Sequence, residues 1–250
     1  MTPKIPFLFF LILLLFPANV YAQNIFFHED FENEFNNWDG VYDASISEGG
    51  VSGNYSVRLS FKEYRAQYLM REVRAEEQPD WSFVYEFHVK LHRFSGKAVT
   101  LAALVFPTGK IAVVASRDGL IGLAFDLFEE PRFSNHKLRM EEWEKIQLYV
   151  DYDNEKVELY LNDVKVLEDD LMGRKLPLLK IWIGVIWTGG GGEYGMIMEG
   201  YFDHVTLGGK DLLTPKPAIP IFAIAVSVCV AVASIIALAL IIKRKRVLMT

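Results

Sequence analysis

Cysteine is almost missing from this sequence. The 250 residues include one, Cys229, and it lies in an apolar run near the end. The residues before that run can form no disulfide, no thiolate metal site and no thiol nucleophile. Clustered positive charge is nearly missing too. The formal net charge is -6, and the one concentrated basic run is Lys243-Arg244-Lys245-Arg246. Nucleic acid is therefore excluded as a partner, since it requires grouped Lys and Arg. Before residue 219 no segment sustains a 3.6-residue apolar period, which excludes a domain built on amphipathic helices. No glycine-rich loop follows a strand and opens a helix, so no phosphate cradle is present. The five histidines, His28, His88, His92, His136 and His204, read as scattered. His88 and His92 fall on one strand face, but about 13 Å apart, too far to share a metal. No Ser/His/Asp set can be assembled.

What is present starts with a long apolar run. Ile219 to Ile242 is uncharged. At about 1.5 Å per residue it spans about 36 Å, enough for a hydrocarbon core of about 30 Å. The basic run behind it places that flank in the cytoplasm. The expectation is a single-pass protein of the cell membrane, with its N-terminal part outside and residues 243–250 as a cytoplasmic tail. Residues 1–22 read as a secretory signal peptide. Lys4 is the positive n-region, Phe7 to Phe16 the apolar core, and Val20-Tyr21-Ala22 a cleavage site. An uncleaved N-terminal anchor is the alternative. Residues 211–218, with Pro215 and Pro217, read as a short linker. The tail also resembles prokaryotic surface-sorting signals, but Leu213 to Pro220 holds no recognisable cleavage motif, and permanent anchoring is simpler.

Residues 23–210 read as one extracellular domain of strands. Apolar and polar residues alternate in Tyr42–Glu48, Tyr55–Phe61, Phe83–Leu91, Ile146–Val150 and Val157–Leu161. Val99–Phe106 and Ile111–Ala115 are continuously apolar, the pattern of strands buried on both faces. Turn signals separate the runs at Glu48-Gly49-Gly50, Pro107-Thr108-Gly109, Arg117-Asp118-Gly119, Asp153-Asn154 and Asn162-Asp163. Asn135–Glu144 admits a turn of helix before a strand that begins at Trp143. Short strands in this number predict an all-β sandwich or barrel. Asn54-Tyr55-Ser56 is an N-glycosylation acceptor pattern.

The order of several blocks resembles concanavalin A-like and laminin-G-like jelly rolls. Glu29-Asp30-Phe31-Glu32 with Trp38 looks like their opening strand, and Gly53–Leu59 like the block that follows. Trp143–Tyr152 with Val157–Asp163 resembles their central hairpin, and Tyr201–Leu207 their closing strand. The resemblance implies that the first and last strands lie together. Galactose-binding-like sandwiches of carbohydrate-binding modules share the opening and closing patterns and are the alternative. Relatives of this class bind sugars, bind surface proteins or hydrolyse glucans, and fold does not choose among these.

Three candidate sites follow. Trp187-Thr188-Gly189-Gly190-Gly191-Gly192-Glu193-Tyr194 is a glycine loop flanked by aromatics. Trp187 and Tyr194 would stack on the apolar face of a sugar, with Glu193 as an acceptor. The competing reading is a plain hairpin loop, with Trp182, Ile183 and Trp187 in an apolar strand. Asp30, Glu32 and Asp203 fall on neighbouring strands of the resembled fold, where some carbohydrate-binding modules hold structural Ca²⁺. The competing reading is a set of solvated carboxylates. Asp151, Asp153 and Asn154 suit an Asx turn at least as well as a metal. Glycoside hydrolysis needs two carboxylates across a cleft. The Glu-x-Asp-x-x-Glu strand of related glucanases is absent, for Glu86 is followed by His88 and Lys90. Glu141, Glu142 and Glu144 read as a solvated acidic approach to Trp143. The expectation is a non-catalytic surface module that binds carbohydrate. The alternative is an adhesive domain that binds another surface protein, and a hydrolase is third.

Overall fold

The computed structural model describes residues 24–51, 53–62, 67–79, 81–95, 98–126, 130–184 and 197–213. Fifteen strands are formed among them, numbered in chain order. One antiparallel sheet (sheet A) runs β13 (Val164–Asp170), β12 (Lys156–Leu161), β11 (Glu144–Asp151), β6 (Ser82–Ser95), β15 (Ile197–Gly209), β4 (Tyr55–Lys62) and β3 (Ser45–Glu48), with β1 (Ile25–Glu29) also paired to β15. The second (sheet B) runs β10 (Arg132–Lys137), β9 (Leu120–Phe125), β8 (Gly109–Ser116), β7 (Ala98–Phe106), β14 (Lys180–Gly184), β5 (Tyr68–Glu72) and β2 (Gly40–Tyr42). The chain is thus an all-β sandwich. The first strand does lie against the last, with His28 opposite Thr206 and Glu29 opposite Val205.

Alternation explains the packing. In β6, Phe83, Tyr85, Phe87, Val89 and Leu91 enter the core. Ile146, Leu148 and Val150 of β11 and Val157, Leu159 and Leu161 of β12 join them. Sheet B supplies Leu69, Leu101, Leu104, Ile111, Val113, Leu123, Phe125, Ile181 and Ile183 to the same core. Burying apolar side chains of this size stabilises by about 1.5–3 kcal/mol each. A hydrogen bond crosses the core between the sheets: the hydroxyl of fully buried Tyr85 donates to the carbonyl of Trp182 at 3.0 Å. Burial pushes the Tyr85 phenol far up, so it stays a donor.

Three expectations need correction. Tyr42–Glu48, one alternating run in the sequence, is two strands in different sheets: Asp43 takes φ +52° and the chain crosses from β2 to β3. Asn135–Glu144 holds no helix. β10 continues to Lys137, and a turn at 140–141, with φ +65° at Glu141, leads into β11 at Glu144. The domain also runs past residue 210. Lys210–Leu213 is a 3₁₀ turn whose Leu212 packs with Val84 and Tyr149 against sheet A. The chain divides into two compact units, 1–213 and 214–250. No helix among the described residues is long and apolar enough to cross a membrane. The expected signal peptide and the span 219–242 lie outside the described residues.

Candidate functional site

Trp187, Glu193 and Tyr194 lie outside the described residues. The strand before them, β14, is described, and it belongs to the outer face of sheet B. Register across that sheet places residues in rows. The central row is Gly40, Met70, Trp182, Ala103, Ala112 and Ala124, each opposite the next. These small residues form a floor. Ala103, Ala112, Val114 and Ala124 are buried, with Trp182 and Phe133 packed against them. This is why β7 and β8 read as buried on both faces: one face meets the core, the other lies under two aromatic rings.

The next row is aromatic at both ends. Tyr42 is opposite Tyr68, and Phe133 is opposite Gly122, which is opposite Val114. The Tyr42 and Tyr68 rings stack at 4.3 Å and 20°, and Tyr68 meets Trp182 at 6.0 Å. Burial and the neighbouring Tyr42 hydroxyl raise the Tyr68 pKa, so Tyr68 stays a neutral phenol. Two glycines make room for rings. A Cβ at Gly40 would stand 2.8 Å from the Tyr42 ring, and one at Gly122 would stand 2.8 Å from the Phe133 ring. Trp182 is partly exposed, and its indole Nε1 has no hydrogen-bond partner among the described residues.

The row on the other side is charged. Glu72 is opposite Lys180, Lys180 opposite Val105, and Val105 opposite Lys110. Lys180 pairs with Glu72 at 3.1 Å. Asp126, just after β9, accepts the Lys110 backbone N–H at 3.0 Å and pairs with Arg174 at 2.6 Å. The Lys110 ammonium lies 4.4 Å from the centre of the Trp182 ring. Burial pulls the Lys110 pKa down, and Asp126 pulls it partly back. The face therefore offers ring surfaces, bare backbone and one ammonium on an indole, which suits a ligand with apolar faces and polar edges.

The candidate calcium residues are engaged elsewhere. Asp30 accepts from the Glu32 N–H at 3.2 Å. Glu32 accepts from the backbone of Asn54 at 2.6 Å and of Tyr55 at 3.0 Å. Asp203, fully buried, accepts from Val51 N–H at 2.6 Å and from its neighbour His204 at 2.7 Å. Glu32 and Asp203 thus both converge on the β3–β4 turn and hold its amide groups, a role open to any carboxylate beside a strand connection. No three His, Cys, Asp or Glu side chains among the described residues form a group that could hold a metal ion. Asp151 is an Asx cap. It accepts from Asp153 N–H, Asn154 N–H, the Asn154 amide and the Tyr149 hydroxyl. Burial pushes its carboxyl up, but these bonds outweigh it and hold the pKa low.

Two further readings change. Glu144 is buried, not solvated. It accepts from the Arg139 side chain at 2.6 Å and from the Asn162 amide, which outweigh burial and keep its pKa below the usual range. Nor are the histidines scattered. His28, His204 and His88 meet on the outer face of sheet A, with ring centres 4.7 Å and 5.3 Å apart. His28 shares a 2.9 Å hydrogen bond with Thr206. Glu86 lies below, 3.5 Å from His204 and 3.9 Å from Lys145, and takes the Gln147 amide at 2.8 Å. Burial first, then His204 and Lys145, lower the His88 pKa to about 4. A strand irregularity between Asp203 and Thr206, with φ +50° at His204, adds to this meeting. No local signal predicts it. Trp38 is in the core, whereas Trp81 is 69% exposed.

No protein-family model matches the sequence, and no curated protein matches it. Solved structures do match. The endo-β-1,4-glucuronan lyase of the fungus Trichoderma reesei gives a TM-score of 0.56 at 13% identity, over 74% of this chain and 95% of the lyase. The botulinum neurotoxin serotype G binding domain gives 0.53 at 11%, over 74% of this chain and 48% of the toxin chain. Botulinum neurotoxin type C, whose cell entry depends on interaction with two ganglioside molecules, gives 0.50 at 9%, over 68% and 43%. This chain spans about half the length of those toxin chains. At such identities the likeness is one of fold, and this chain shares a jelly-roll-like β-sandwich with toxin binding domains and a lyase.

Proposed function

We propose that this chain is a non-catalytic carbohydrate-binding module, and that the outer face of sheet B is its binding face. The observation that carries this is the row Tyr42–Tyr68–Trp182 beside a floor of Ala103, Ala112 and Ala124. Pyranose rings stack their C–H faces on such aromatics. The glycine loop with Trp187, Glu193 and Tyr194 follows β14 in the chain. Two of the fold neighbours act on or interact with carbohydrate-bearing molecules, which supports the reading. Docking of another surface protein would need a broad exposed apolar patch. Here the apolar floor is covered by the chain's own Trp182 and Phe133. We place the module outside a membrane, held by the apolar span 219–242. Structural Ca²⁺ at Asp30, Glu32 and Asp203 is no part of recognition in this reading.

A glycan array probed with the full chain tests the reading. Binding that is lost in Trp182→Ala and kept in His88→Gln is expected. Binding untouched by Trp182→Ala would move the site off sheet B, and no bound glycan would overturn the function.

A further inference from the structure

The charged row on sheet B does not neutralise itself. It holds three cations, Lys180, Lys110 and Arg174, and two carboxylates, Glu72 and Asp126. Glu72 is taken by Lys180 at 3.1 Å, and Asp126 by Arg174 at 2.6 Å. Among the described residues no carboxylate lies within ion-pair distance of the Lys110 ammonium, which rests instead on the Trp182 ring at 4.4 Å. Asp126 accepts the Lys110 backbone N–H and attracts the ammonium from beyond ion-pair distance. One positive charge therefore stays unspent on a chain whose formal net charge is -6.

Position adds to the charge count. Lys110 lies one row from Ala103 and Ala112 and beside the ring that a sugar would stack on. A sugar over Trp182 would bring a substituent within reach of Nζ. Burial lowers the Lys110 pKa because its ammonium has lost part of its water. An anion arriving there would restore what burial removed, and a charge-assisted hydrogen bond is about twice as strong as a neutral one. We infer that Lys110 selects anionic sugars, so that the ligand carries a carboxylate, as in a hexuronate, at the residue stacked on Trp182.

This inference rests on the carbohydrate reading, and the test separates the two. The full chain is titrated with oligosaccharides of glucose, mannose and galactose, each beside its uronate counterpart. At low salt at least one uronate is expected to bind about tenfold tighter than its neutral partner, with the margin shrinking as salt rises. Lys110→Gln should erase the margin. Lys110→Arg should keep the margin, as should Lys180→Gln, because Lys180 is already paired. Equal binding of each pair, or a margin that survives Lys110→Gln, overturns the inference and leaves the carbohydrate reading standing. No binding to any sugar overturns both.

Discussion

The two outer faces of the sandwich follow opposite designs. On sheet A many of the polar groups pair with one another. Lys145 pairs with Asp163, Lys165 with Glu158, Lys156 with Asp170, and Gln147 reaches both Glu86 and the Leu212 carbonyl. A 3₁₀ turn closes over Val84 and Tyr149. On sheet B the strands carry Ala and Gly where sheet A carries long side chains, and the aromatics and Lys110 have few polar partners. A face whose groups are paired internally has little left to offer a ligand. A face that leaves rings and an ammonium without polar partners has free energy to gain from one. In the proposed reading, sheet A carries stability and sheet B recognition.

The largest test of this contrast is acid. The folded His88 pKa of about 4 lies below its ordinary 6.5. Its neutral form is thus favoured by folding. That stability is whole above pH 6.5 and is lost as pH falls toward 4. The loss is about 3 kcal/mol, from about 1.4 kcal/mol per pH unit. Thermal melts across this window should show a steep fall that flattens in His88→Gln. Identical slopes in the two proteins would remove His88 from the account. The groups facing it are His204 and Asp203 on β15, His28 on β1, Glu86 and Lys90 on β6, Lys145 on β11 and Asp163 after β12.

Trp182→Ala comes next. It should weaken glycan binding by about 2–3 kcal/mol, the usual effect of truncating a central aromatic anchor, while His88→Gln leaves binding alone. Calorimetry with the best array ligand decides, and equal losses from both faces would end the division of roles. Leu212→Ala should cost about 2 kcal/mol of stability by opening the cover of sheet A, with sugar affinity unchanged. Denaturant melts give the first number, and a midpoint that does not move would return 211–213 to the linker. The smallest expected effect is that of a calcium chelator. Because Glu32 and Asp203 already hold backbone amides, the melting temperature should stay put. A drop would restore the ion.

Much of the architecture is legible in sequence because its causes are local. Alternation in Phe83–Leu91 or Val157–Leu161 sorts residues to two faces, and Pro107-Thr108-Gly109 or Asn162-Asp163 turns the chain whatever lies beyond. The double burial of Val99–Phe106 and Ile111–Ala115 is equally readable. The site is less so. Trp182 reads as one more apolar strand residue. Only its register with Met70 and Ala103, and the stacking of Tyr42 on Tyr68, make it part of a platform. Glu144 follows Glu141 and Glu142 in sequence, and only Arg139 and the Asn162 amide show that it is an internal anchor.

The sequence by itself determined which segments extend, where they turn and that they pair as an all-β sandwich, since strand periodicity and turn chemistry act over a few residues. The tertiary structure alone decided which strands are neighbours, and so which side chains meet. His28, His88 and His204 gather because β1, β6 and β15 pair across most of the chain, and Lys110 reaches Trp182 because β7 lies between their strands. Register between distant strands is set by the packing of the whole core, and no short stretch of sequence carries that information.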